Sequence, residues 1–261
     1  MRISLIVTTY NRPEALSLVF KSIENQVIKP LEVIVADDGS DERTHKIVKE
    51  FRDKLSFKII HSFQKDKGFR ASKSRNKAIA KANGDYIILI DGDMILQNRF
   101  IQDHSRNAIP GFFIQGSRVL LSEIQSKIIL RKRKIYISMF SLGLKNRKNS
   151  IHSNILSHLF SNESGHLRGI KTCNLAFYKE DCIRINGFNN DFKGWGREDS
   201  DFASRLINIG IKRKSLKFNA IQYHLWHKEN NRKSLATNDA ILQKTINNKL
   251  TWCDNGIDRY L

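Results

Sequence analysis

Asp91 and Asp93 stand one residue apart in "DGD", at the end of the apolar run "YIILI". Two carboxylates so spaced on a turn can aim at one divalent cation. Their hard oxygens suit Mg²⁺ or Mn²⁺, and such a cation can bridge a diphosphate. Asp-Gly is also ordinary turn chemistry, so the pair alone leaves both readings open. Far downstream, "YHLWH" supplies His224 and His227. Neutral imidazole is a good Mn²⁺ ligand beside carboxylates. A lone histidine is more often structural, so these two gain weight only in the company of the acids.

Three further stretches carry usable groups. "ADDGS" puts Asp37 and Asp38 at a strand end, where a buried carboxylate can accept from a base N–H or a ribose hydroxyl; the plain alternative is a turn. "GFRASKSRN" sets Gly68 and Arg70 before a helix, with Arg75 and Asn76 inside it. Arginine can stack on or bond to a nucleotide base, and the plain alternative is a solvated basic face. "GWGREDSD" gathers Glu198, Asp199 and Asp201 beside Trp195, between and after two glycines that cost backbone entropy. Trp195 offers an apolar face to a sugar, and the glycines are expected to let the loop approach it. Asp201 is expected to begin or cap the next helix, where the N-terminal dipole favours carboxylates.

The elements that must position these groups alternate cleanly. "ISLIVTT", "LEVIVADD", the short "FKIIH" and "YIILIDGD" read as strands. Between them Pro13 suits a first helical turn, and Leu16, Val19, Phe20 and Ile23 share one face. Ile47, Val48 and Phe51 mark a second helix, and "RASKSRNKAIAKA" a third, closed near Gly84. The repetition predicts an α/β fold with a mostly parallel sheet flanked by helices. Ligands of such sheets lie outside the carboxyl ends of the strands. Here those ends carry Thr8, Thr9 and Tyr10, then Asp37 and Asp38, then Asp91 and Asp93. Later come a strand-like "TCNLAFY", a helix with Phe202, Leu206 and Ile209 closed by Gly210, and a helical "SLATNDAILQKTINNKL".

The 261 residues are enough to bury a core without staples. Three scattered cysteines form no CxxC pair, which argues against a zinc knuckle and for a reducing compartment. No apolar run reaches the roughly 18 residues of a spanning helix, and "MRISLIVTTYNR" reads as a strand rather than a signal peptide. The formal charge of +19 favours an anionic partner without naming it. From Ile124 to Asn162 there are eight Lys or Arg and no acid, interleaved with apolar residues, including "RKRK" at 131–134. "IHSNILSHLF" puts Ile151, Ile155, Leu156, Leu159 and Phe160 on one helical face. This segment reads either as a peripheral contact with anionic lipid or as a lid on an acceptor cleft.

The order of strand–"TTYNR", strand–"DDGS", "GFRASKSRN", strand–"DGDM", "GWGREDSDF" and "YHLWH" is far more specific than any one of them. In it the chain resembles the family 2 glycosyltransferases of the GT-A fold. Its C-terminal half is similar to the galactosyltransferase-type region shared by bacterial chondroitin polymerase domains and animal β-1,4-galactosyltransferases. The resemblance covers roughly residues 1–120 and 165–230. It implies one continuous domain with a nucleotide-sugar half (1–123), a basic apolar insert (124–164) and an acceptor-binding, catalytic half (165–261). It implies an inverting, metal-dependent transfer of a hexose or N-acetylhexosamine from a UDP-sugar to a glycan or lipid-linked saccharide, in bacterial surface polysaccharide or lipopolysaccharide synthesis. The setting would be the cytoplasm, at the inner face of its membrane. By the same resemblance Thr8, Tyr10, Arg12, Asp38, Gly68, Arg70, Asn76, Asp91, Gly92 and Trp195 serve the UDP-sugar. Asp93 binds Mn²⁺ or Mg²⁺ with His224, favoured over its rival His227 by the "KEN" that follows. Asp199 is the base, and Glu198 contacts donor or acceptor hydroxyls. Where the family pattern has a second glycine, "GWGGED", this chain has Arg197.

Two rival classes make different demands. A nucleic-acid-binding module needs basic and aromatic residues interleaved on one face, whereas the strand ends here concentrate acids. Another metal-dependent nucleotide-phosphate enzyme, such as a nucleotidyltransferase, could share "DGD" but leaves "GWGREDSD" without a duty.

Overall fold

The computed structural model describes residues 1–228 and 231–261. Glu229 and Asn230 of the "KEN" stretch lie outside the described residues. Strands β1 (Ile3–Thr9), β2 (Glu32–Asp37), β3 (Lys58–Phe63) and β4 (Tyr86–Asp91) run parallel in the order β3-β2-β1-β4. Their β-branched residues alternate between two cores, as a period of two requires. Leu5, Val7, Val33, Val35, Ile88 and Ile90 face one side; Ile6, Ile34, Ala36, Ile87 and Leu89 face the other. Helices α1 (Pro13–Glu24) and α2 (Glu42–Lys54) cover the first core, and α3 (Ala71–Ala80) the second. The four apolar residues read from α1 are all fully buried.

After "DGD" the chain leaves this sheet as β5 (Met94–Leu96). There follow α4 (Phe100–Asn107), β6 (Phe112–Gln115), β7 (Val119–Leu121), α5 (Glu123–Lys132), β8 (Leu144–Lys145), α6 (Asn154–Phe160) and β9 (Asn162–Ser164). The rest comprises β10 (Asn174–Tyr178), α7 (Lys179–Arg184), α8 (Glu198–Asn208), β11 (Lys212–Ser215), β12 (Gln222–His224) and α9 (Leu235–Asn247). β10, β6, β11 and β9 extend the large sheet to eight strands, with β10 and β9 antiparallel to their neighbours. β5-β12-β7-β8 form a second, smaller sheet. The α/β expectation holds, and the second sheet is the addition that local patterning did not reveal.

The 124–164 segment is tied into the body of the protein. Ile129 is buried in the core under the small sheet, where Leu130, Ile135, Ile137 and Leu144 also pack. β8 and β9 each pair with a strand of the main body. The apolar helix face expected over 151–160 forms only in part, with Ile151 outside the helix. Helix α6 starts only at Asn154, capped by Ser153, and Ile155, Leu159 and Phe160 are exposed. Among the described residues, no helix is long and apolar enough to cross a membrane.

Candidate active site

β12 lies antiparallel to β5 with His224 opposite Met94, and the Leu225 N–H donates to the Asp93 carbonyl at 3.0 Å. That short ladder carries two distant histidines to the "DGD" turn. The Nε2 atoms of His224 and His227 each stand 3.5 Å from the same Asp93 oxygen, Oδ2. Both histidines, the favoured one and its rival, therefore stand at Asp93. His227 Nδ1 lies 2.8 Å from the Lys228 carbonyl, an acceptor, so Nδ1 carries a proton and Nε2 is the nitrogen turned to Asp93. Asp93 Oδ1 is buried with no hydrogen-bond partner. A buried carboxylate oxygen left unsatisfied beside two imidazoles suits a divalent cation, and the three ligand atoms lie within 4.8 Å of one another. Arg12, expected at the nucleotide, pairs with Asp93 and donates to the Trp226 carbonyl at 3.3 Å. Burial opposes a charge on Asp93, but the His224 hydrogen bond and the charges of His224, Arg12 and His227 outweigh it and hold the carboxyl low. Asp91 goes the other way, raised by burial and by the charge of Asp93. Gly92 presses against β1: a Cβ there would come within 3.0 Å of the Thr8 carbonyl.

The second carboxylate turn is the start of α8. Glu198 is buried and Asp199 half-buried. Loss of water and the neighbouring Glu198 charge push the Asp199 carboxyl up to about 7, against the pull of Arg75, the Ser200 backbone N–H and Lys171. A carboxylate poised there can accept a proton at neutral pH. The residue joining the two turns is Arg75 of α3. It is buried, with Nη1 3.1 Å from Glu198 Oε1 and Nη2 3.9 Å from Asp91. Its Nε reaches Thr8 Oγ1 at 3.4 Å, and its guanidinium lies over the Phe188 ring at 5.5 Å. The available signal was its phase: Arg75 follows Ala71 by four, on the buried side of α3.

The expected nucleotide groups divide. Asp38 is buried and accepts from the Arg70 backbone N–H at 2.6 Å and from Gln64 at 2.6 Å. Burial raises its carboxyl despite those bonds. Gly68 sits at φ +80° on the same loop, its N–H donating to Asp66, and the Tyr10 hydroxyl donates to Asp66 at 2.8 Å. Thr8, Tyr10, Asp38, Gly68 and Arg70 thus gather at the strand ends. The Arg70 guanidinium is engaged by the Lys65 carbonyl. Asn76 does not join them. It is fully buried, and its amide exchanges bonds with the Phe188 backbone, at 2.6 and 2.8 Å, pinning α3 to the 188–190 turn. Asp37, His45 and His61 make a second cluster with metal-like spacing. Asp37 commits both oxygens within the protein, Oδ1 to the Gly39 and Ser40 N–H groups and Oδ2 to His61 at 2.8 Å.

The family model described as Glycosyl transferase family 2 matches residues 4–163. The chain belongs to that family. A second model, described as the N-terminal domain of galactosyltransferase, matches residues 157–228 of this glycosyltransferase. It is 28% identical to a chondroitin synthase of Escherichia coli over 85% of this chain and 34% of that protein. It is 30% identical to a hyaluronan synthase of Pasteurella multocida over 80% of this chain and 23% of that protein. The chain thus spans about a third or less of these relatives. A crystal structure of Staphylococcus aureus TarS 1–349 shares the GT-A fold at a TM-score of 0.66 and 19% identity, over 100% of this chain and 68% of that one.

In this glycosyltransferase the "GWGRED" loop is braced by the C-terminal helix. Gly194 and Gly196 take φ of +71° and +106°, and a Cβ on Gly194 would come 2.4 Å from Ser234 Oγ. Backbone geometry and packing against the start of α9 therefore account for both glycines, without appeal to a sugar. Asn238 of α9 donates to the Lys193 and Gly196 carbonyls at 3.1 and 2.9 Å. Arg197 also has a left-handed backbone, φ +77°, which is why glycine fits the family pattern there. Its side chain pairs with Asp239 on α9. Trp195 is part-exposed, with the Arg232 guanidinium 5.3 Å from its ring centre. Asp201 does not cap the helix. It lies within the first turn, forms a buried pair with Arg205 at 2.7 Å, and accepts from Thr245 of α9 at 2.6 Å.

Proposed function

We propose that this glycosyltransferase moves a hexose or N-acetylhexosamine from a UDP-sugar to a hydroxyl of a glycan acceptor with inversion, in bacterial surface polysaccharide or lipopolysaccharide synthesis. The observation that carries the reading is the Arg75 bridge, which brings the Asp199 turn beside the "DGD" turn. Crystal structures of TarS in complex with UDP and with UDP-GlcNAc support a UDP-sugar donor. A mannosyltransferase from Pyrobaculum calidifontis in complex with GDP-Man and Mn²⁺ supports a metal. Asp93, His224 and His227 would hold Mn²⁺ or Mg²⁺, and such an ion offsets charge on a departing diphosphate. Thr8, Tyr10, Asp38, Gly68 and Arg70 receive the nucleoside. Asp199 removes the acceptor hydroxyl proton as that oxygen bonds to the anomeric carbon. The bond from that carbon to the diphosphate oxygen breaks, and UDP keeps the electron pair. One displacement inverts the centre, so no carboxylate nucleophile is needed. Glu198, held by Arg75, contacts sugar hydroxyls. The test is UDP release from a panel of UDP-sugars, expected only with Mn²⁺ and an acceptor sugar together. Release that persists in a chelator, or none with any donor, would overturn the reading.

The 124–164 segment supports a peripheral contact with anionic lipid better than a lid. Tyr136, Phe140 and Leu142 are 73%, 76% and 83% exposed, in the same stretch as its lysines and arginines. Each cation near such a surface contributes about 1 kcal/mol. The chain should pellet with anionic vesicles but not with neutral ones, and neutral residues at 131–134 should reduce pelleting. Equal pelleting by that variant would argue against the contact.

A further inference from the structure

A cavity of about 560 Å³ opens between β6, β11 and the 162–173 stretch, within the usual range of ligand pockets. Its wall carries Arg118, Arg168, Lys171, Arg213 and Lys217, and no Asp or Glu lines it. None of these five cations has an ion-pair partner among the described residues. Arg213 is the most telling. It is 9% exposed, spends Nη1 on the carbonyls of His166 and Arg168 at 3.2 and 2.7 Å, and leaves Nε buried without a partner. A guanidinium withdrawn from water beside four further cations is costly unless an anion answers it.

The cavity also adjoins the reacting groups. Cys173 lines it and precedes Asn174, which pairs with Ile90, the residue before Asp91. Arg118 donates to the Cys173 thiol at 3.5 Å. The charge of Arg118 reaches Asp91, and that of Lys171 reaches Asp199. The "DGD" cluster serves the donor diphosphate in the reading above, so a second anionic group is needed to account for these cations.

We infer that this cavity is the acceptor subsite and takes a saccharide bearing an acidic group, a carboxylate or a phosphate ester, close to the hydroxyl that is glycosylated. The inference rests on the transferase reading and names the substrate class it leaves open. Arg213 and Lys171 would meet the acid, while Asp199 faces the hydroxyl.

The test is equilibrium binding of three labelled tetrasaccharides to the full chain with UDP and Mn²⁺. One carries uronate carboxylates, one is its carboxyl-reduced counterpart, and one carries phosphate esters. At least one acidic form should bind tenfold or more tightly than the reduced form, and which one does so identifies the anion. Arg168→Gln/Lys171→Gln, at two exposed positions where folding is not at stake, should bring that ratio within twofold and leave UDP affinity unchanged. Arg131→Gln/Lys132→Gln on α5 should leave the ratio intact. Equal affinities, no acidic binding up to millimolar concentration, a ratio that survives the first double variant, or one lost equally in the second would each overturn the inference. So would loss of UDP affinity in the first variant, since the cations would then serve the donor. Failure of the wild-type chain to bind UDP or release it from any donor would instead overturn the transferase reading.

Discussion

The two carboxylate turns that meet at Arg75 are neighbours in space and opposites in electrical character. At "DGD", Asp93 is surrounded by Arg12, His224 and His227 and stays ionised. At "RED", Asp199 has mainly Glu198 and an interior for company, and its carboxyl rises to about 7. Two sites built from the same side chain thus suit different work, one holding positive charge and the other taking up a proton. Environments that push carboxylates apart in this way are how acid–base roles are divided. Arg75 lets the two stand close, because its charge is shared between Glu198 and Asp91.

The comparison can be broken from either side. Asp93→Asn should have the largest effect, removing Mn²⁺-dependent UDP binding in calorimetry and with it all measurable transfer. Arg75→Gln should come next. It leaves Glu198 buried without its cation, so the unfolding free energy should fall by about 3 kcal/mol in urea titrations. It should also move the acid limb of kcat/KM to higher pH, because Arg75 lowers the Asp199 pKa. His224→Ala and His227→Ala should each weaken Mn²⁺ binding at least about tenfold; if only one does, the shared cluster is wrong. Glu198→Gln should give the smallest change that still carries a sign. Glu198 raises the Asp199 pKa, so its loss should move the acid limb to lower pH.

Much of the parallel half was legible because its strands are buried on both faces and read as continuous β-branched runs that stop at polar residues. "ISLIVTT", "LEVIVAD" and "YIILID" each end where a site residue stands. The second sheet was not legible. β5, β7 and β12 have three residues each, too short for a period, and β12 pairs with a strand far away in the chain. That pairing brings both His224 and His227 to Asp93, a meeting that sequence order alone does not show. Arg75 was hidden for another reason. A cation on a lysine-rich helix looks solvated until the phase of its buried side is known, and its partners Asp91 and Glu198 come from different halves. Asp201 and Arg197 stand two residues to either side of Asp199 and do structural work. Their partners, Thr245 with Arg205 and Asp239, show that much of "GWGREDSD" is there to seat one loop against the C-terminal helix.

Asp199→Asn tests the division of labour between the two turns most directly. With UDP and Mn²⁺ it should bind as tightly as the wild type, while acceptor-dependent UDP release falls about 10²–10⁴-fold. The wild-type kcat/KM should climb with pH through about 7 and then level, since the base must be ionised. The sign of the stability change follows from the same raised carboxyl. Ionising Asp199 costs the folded state free energy as pH rises from the ordinary carboxylate range through about 7, so the asparagine variant should be the more stable protein at pH 8 and gain nothing at pH 4. Normal turnover by Asp199→Asn, or loss of its UDP binding, would contradict the account.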